Sequence, residues 1–247
     1  MWYLFSFTAP LSEGARSHLL RVYALLTAGV ISASLGCYAD MRYWHYGSLT
    51  TALIGAFLFG LARSNVTVSA KDNTTGVLLF LLACSLEGIS LSPLVHTAYM
   101  YYPAALTTAF LSTIAVFASF SVAAIVAKRR EFFFLAGLLG TAASIMAILS
   151  FTNMVIRSQT ILDIQIFGGL AMFIGYILLD TQVMIERYEN GNFHFRTNFV
   201  RPACDLFGDL VGVFVRILII LMKKADKRNG RRQSFSSPER RYYKRGE

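Results

Sequence analysis

Between Gly88 and Ala127 the chain runs for forty residues without an Asp, Glu, Lys or Arg. Crossing a hydrocarbon core of about 30 Å takes about 20 helical residues, so this stretch alone is two spans long. Tyr101-Tyr102-Pro103 falls inside it, and the restriction that proline places on the preceding residue marks the dividing turn. Other charge-free runs flank it: Val22–Ala39 with 18 residues, Tyr43–Ala62 with 20 and Phe132–Ile156 with 25. Thr75–His96 is interrupted only by Glu87, and Ile161–Glu186 by Asp163 and Asp180. Pro202–Met222 carries Asp205, Asp209 and Arg216.

These runs predict seven hydrophobic helices in an all-α membrane protein. They are too long and too uniformly apolar for the strands of a transmembrane barrel. Six would insert on hydropathy alone. The seventh would not, because two carboxylates and a guanidinium facing lipid cost too much; it must be enclosed by the others or reach water. The expected organisation is an N-terminal segment over 1–15, a transmembrane domain over 16–222 and a disordered basic tail over 223–247.

Charge agrees with this division. The chain holds 23 basic and 14 acidic side chains, and the 15% charged fraction is well below the roughly 25% of soluble domains. Ten of the basic residues and three acidic ones lie between Lys223 and Glu247. A soluble enzyme, a secreted disulfide scaffold and a disordered chain are excluded. The bilayer is the expected environment, and nothing points to nucleic acid.

Orientation is in conflict with itself. Arg63, Lys71 and Lys128-Arg129-Arg130 lie on the side of the N-terminus, which the positive-inside rule makes cytosolic. The basic tail should be cytosolic too, which seven full spans forbid unless the last helix is short or re-entrant. The sequons at Asn65 and Asn73 fall on the N-terminal side and are expected to stay unmodified. No cleavable signal is expected, since Met1–Thr8 lacks a basic region.

An ionisable group at membrane depth marks function by default. Asp205 and Asp209, four apart, share one helix face, with Arg216 seven residues further on. The last two helices are antiparallel neighbours about a connection centred near His194, so Asp180 and Asp209 come to equal depth, roughly 9–12 Å inside the boundary. Two carboxylates meeting in low dielectric cannot both ionise cheaply; they share a proton and titrate as one unit. Sharing a proton, the pair holds two helices together. Ionised, it repels and attracts a hard cation such as Ca²⁺, which prefers oxygen ligands and would be held at Asp180 and Asp209 in passing. The alternative is that the two aspartates only make structural interhelical hydrogen bonds. Glu87 either lines a cavity or bonds a neighbouring helix, Asp205 is either pore-lining or a helix-entry residue, and Arg216 is a counter-ion or reaches for the interface. Arg63 reads as an interfacial anchor.

Three cysteines, Cys37, Cys84 and Cys204, are scattered through apolar sequence, which excludes a disulfide framework and a zinc site. No HExxH motif, nucleotide loop or haem-ligand pair is present, and no cofactor is expected.

Five marks converge on one family: His18-Leu-Leu-Arg-Val-Tyr23, Glu87-Gly-Ile-Ser-Leu-Ser-Pro93, Leu149-Ser-Phe-Thr-Asn-Met154, Asp180-Thr-Gln182, and Asp205-Leu-Phe-Gly-Asp-Leu210 leading to Arg216. From about Ala15 to Lys224 the chain resembles the transmembrane Bax-inhibitor-motif proteins, most of all the eukaryotic branch in the endoplasmic reticulum. The resemblance implies a seven-helix bundle with the last helix central and the other six around it. It also implies calcium leak from intracellular stores, pH sensitivity and suppression of apoptosis, with a charged cytosolic C-terminus. The family's di-aspartyl pH sensor falls on Asp180 and Asp209. The arginine that bacterial members bring to that pair would be Arg63. Gly208, before the second aspartate, and the acidic Glu87 depart from the family pattern.

Three functions compete. One is a pH-sensitive calcium leak channel. Another is a non-conducting scaffold that binds apoptosis regulators of the Bcl-2 type or proteins of the stress response. The third, an intramembrane aspartyl protease, requires a Tyr-Asp pair and Gly-x-Gly-Asp; Leu179 and Leu206 stand at those places, so no enzyme is expected.

Overall fold

A computed structural model describes residues 12–44, 49–64, 74–127, 134–190 and 198–236. The sequons, the Lys128–Arg130 cluster and the two chain ends lie outside them. Within the described residues there are seven α-helices: α1 Glu13–Ala39, α2 Leu49–Ser64, α3 Thr74–Tyr101, α4 Pro103–Val126, α5 Leu135–Ile156, α6 Gln159–Asn190 and α7 Val200–Ser236. A π-helical turn, Asp40–Trp44, extends α1. The fold is the expected all-α bundle.

Local chemistry sets the helix ends. Ser12 caps α1, its hydroxyl accepting from the Ala15 N–H at 3.2 Å. Tyr102 leaves helical geometry at φ −139°, ψ 52°, and Pro103, at the first position of α4, has no N–H to leave unbonded. The forty-residue run therefore breaks where the sequence predicted.

α7 is the centre of the bundle, packed by α1, α2, α3, α4 and α6, while α5 sits outside against α6. Apolar burial cannot drive helix association between lipid tails, so close packing must do it. The tightest crossing joins α1 and α3, where Gly36 faces the Ser85 carbonyl and Gly88 faces that of Ala33. Ser32 Oγ donates across the same crossing to the Leu81 carbonyl at 2.8 Å. Phe207 of α7 stacks on Phe59 of α2 at 5.5 Å and meets Phe80 of α3 edge-on at 5.9 Å. On its other side Phe214 packs on Phe110 of α4 at 4.7 Å.

Three expectations change. Five helices, α1 with its extension, α3, α4, α5 and α6, are long and apolar enough to cross a bilayer, one fewer than hydropathy predicted. The exception is α2, whose 16 residues measure about 24 Å. The last helix is neither short nor re-entrant. It runs the height of the bundle, and at its far end Lys223 Nζ donates to Asp163 Oδ1 at 2.7 Å, beside the start of α6. There Tyr102 OH also donates to Asp226 Oδ1 at 3.2 Å, beside the α3–α4 turn. The start of α1 and the end of α7 consequently lie at opposite ends of the bundle, and they cannot both be cytosolic. Finally, the helix does not stop at Met222 but continues to Ser236. Lys, Arg and Ala dominate the first part of this extension and are strong helix formers, and the two contacts above hold its base.

Candidate functional site

α6 and α7 run antiparallel and bring the Asp180 and Asp209 carboxyl groups face to face, close enough for each to lie in the other's field. Two carboxyls this close can hydrogen-bond only while one of them carries a proton, since an ionised carboxylate only accepts. Asp209 is 6% exposed, and its Oδ2 is buried without a hydrogen-bond partner. The next position of α6, Thr181, is fully buried and its hydroxyl oxygen is unpartnered as well. A polar spot this incompletely satisfied is costly in a bundle core, and ionising both carboxyls would set two negative charges side by side.

Between this pair and the bundle end lies a cavity of about 90 Å³, room for a few water molecules. His18, Arg63, Asp180, Arg187, Arg201 and Asp205 supply its titratable lining, and Asn198 its amide. Asp205, one turn before Asp209, points into it. Arg63 Nη1 comes within 2.7 Å of Asp205 Oδ1, a close ion pair whose N–H alignment falls outside a hydrogen bond. The Asp205 side chain is 13% exposed and that of Arg63 53%, so the pair sits at the rim. Asn198 caps α7, its Oδ1 accepting from the N–H groups of Val200 at 3.0 Å and Arg201 at 3.2 Å.

The remaining sequence candidates stand elsewhere. Arg63 reaches Asp205 instead of the Asp180–Asp209 pair that the resemblance implied, because α2 ends at the rim and the guanidinium meets the shallower carboxylate first. Glu87 is away from the cavity, on the α3 face toward Gly55 of α2, where Ser90 Oγ lies 3.3 Å from its Oε2. Arg216 is no counter-ion to Asp209. Its guanidinium lies over the Phe173 ring at 4.3 Å and against Gly169, and Nη1 donates to the Gly212 carbonyl at 3.0 Å. Cys84 and Cys204 are buried free thiols.

Sequence reasoning passed over His18, Arg187, Asn198 and Arg201 as site residues. His18, 6% exposed with its ring 4.9 Å from that of Tyr188, belongs to a motif that reads as a helix entry. The two arginines flank the α6–α7 connection. A signal existed there: the symmetry that matches Asp180 with Asp209 also matches Arg187 with Arg201.

The family model described as "Inhibitor of apoptosis-promoting Bax1" matches residues 15–226. The chain is 34% identical to Bax inhibitor 1 of Arabidopsis thaliana, with 88% of this chain and 85% of the relative covered. Against Bax inhibitor 1 of Oryza sativa subsp. japonica identity is 35%, with 89% and 85% covered. The human Bax inhibitor 1 is 28% identical over 88% of this chain and 91% of its own length. The match takes in every helix of the bundle and all of the residues around the carboxyl pair, and on this basis the chain belongs to the Bax inhibitor family.

Proposed function

We propose that this chain is a passive calcium leak pathway of the endoplasmic reticulum membrane, gated by the proton that Asp180 and Asp209 share, and that it suppresses apoptosis by that route. The observation that carries the reading is the juxtaposition of two buried carboxyls at the inner end of a charged cavity. With the proton in place α6 is tied to α7. Its loss puts two negative charges side by side, which separates the helices and favours a hard cation between them. Two carboxylates supply few of the six to eight oxygens that calcium takes, and no group of three or more His, Cys, Asp or Glu among the described residues is arranged to hold a metal. That suits brief occupancy, which conduction needs.

The relatives' names support the link to apoptosis, and the family is not a known family of enzymes. We assign the basic tail to the cytosol for its density of Lys and Arg, which turns the cavity toward the lumen. Partners of the Bcl-2 type would then meet the tail side.

Purified chain in liposomes loaded with a calcium dye tests the reading. It predicts flux that changes with pH between 6 and 8. Absence of flux from pure protein at every pH in that range would leave a non-conducting scaffold that acts through its partners.

A further inference from the structure

The cavity holds more positive charge than its carboxylates neutralise. Arg63 is committed to Asp205, and Asp180 is the other carboxylate in the lining. That leaves one carboxylate for two guanidinium groups, Arg187 of α6 and Arg201 of α7, both in the lining. Neither side chain makes a hydrogen bond or ion pair with a described residue, and Arg201 Nε is buried without a partner. Arg187 lies in the field of Arg201 and of Arg63, Asp180 and Asp205 offer it partial compensation, and Asp205 also interacts with Arg201. Like charges gathered in a poorly hydrated recess repel, and an anion between them removes the repulsion.

Several features select the anion. Guanidinium forks match oxygens in a planar or tetrahedral oxyanion better than a single-atom ion, and a group with three terminal oxygens can engage two forks at once. The positive end of the 37-residue α7 opens at the same place, with the capping Asn198 and with Arg201 and Pro202 of its first turn in the lining. Asn198 already accepts from the first backbone N–H groups, so side chains and the dipole, not the backbone, would hold the ligand. The site lies at the ends of α2 and α6 and the start of α7, and a bundle whose helices cross a bilayer would bring such an end toward the lipid headgroups. We propose that Arg187 and Arg201 form a binding site for a phosphomonoester group at the mouth of the bundle. This site does not depend on whether the chain conducts calcium.

The full-length chain in a neutral detergent provides the test, read as unfolding temperature at constant ionic strength. One arm adds inorganic phosphate in place of chloride; the other adds phosphatidic acid in place of phosphatidylcholine. A saturable rise with both means that the free ion suffices, and a rise with phosphatidic acid alone means that the ligand is a lipid headgroup. Either supports the site, provided Arg187→Gln and Arg201→Gln each weaken the apparent affinity about tenfold or more, the worth of one charge-assisted contact. Lys224→Gln, an exposed charge at the opposite end, should leave it unchanged. Should a glutamine variant fail to fold, Arg187→Lys and Arg201→Lys keep the charge without the fork and should still bind more weakly than wild type. No saturable rise in either arm, or a rise undiminished in the arginine variants, would overturn the proposal.

Discussion

Arg63 Nη1 lies 2.7 Å from Asp205 Oδ1, one helical turn nearer the bundle end than Asp209. This contact ties α2 to α7 at the rim and stations a positive charge over the route to the carboxyl pair. It divides the acids of α7 into two tasks: Asp205 answers an arginine, and Asp209 answers another aspartate.

Replacing Arg63 with glutamine removes that charge and frees the Asp205 carboxylate. A divalent cation about 10 Å from a unit charge at an effective dielectric near 20 feels about 3.3 kcal/mol, so calcium leak in liposomes should rise on the order of a hundredfold. Stability should fall by less than about 1 kcal/mol, because Arg63 is half exposed and rim ion pairs contribute little. A leak equal to or below wild type would remove Arg63 from the path.

The position of α7 makes a topological prediction. In sealed vesicles, epitope tags before Glu13 and after Glu247 should be cleaved by protease from opposite sides of the membrane. Cleavage of both from the same side would contradict a last helix that spans the bundle.

Packing at the α1–α3 crossing predicts a sharp contrast among glycines. A methyl group on Gly88 meets the Ala33 carbonyl, and one on Gly36 meets that of Ser85; both neighbours are backbone and cannot rotate away. Gly88→Ala and Gly36→Ala should each destabilise the protein by roughly 1–3 kcal/mol in detergent unfolding. Gly60 has nothing within 4 Å of an added methyl, and Gly60→Ala should be neutral or stabilising by up to about 1 kcal/mol.

The number of helices, the turn at Tyr102 and the pairing of Asp180 with Asp209 were legible in the sequence for simple reasons. Apolar length counts spans, proline marks boundaries, and a short connection between antiparallel helices matches depths by symmetry. What could not be read were contacts that depend on rotation about a helix axis. The end of α2 sets Arg63 at the rim, and the contact with Asp205 also needs the azimuth of α2 that turns its guanidinium inward. Arg216 follows Asp209 by seven residues on one stripe, yet a neighbouring aromatic ring and a glycine on α6 give its guanidinium a place of its own. The continuation of α7 to Ser236 was not legible in a run of charge, because it depends on the partners that Lys223 and Asp226 find at the base of the extension.

Calcium leak from wild-type liposomes, followed from pH 6 to pH 8 beside the Asp180→Asn and Asp209→Asn variants, tests the shared proton most directly. The account predicts that wild-type leak increases as the pair loses its proton and that neither variant responds to pH in the same way. A pH profile unchanged in both variants would contradict it.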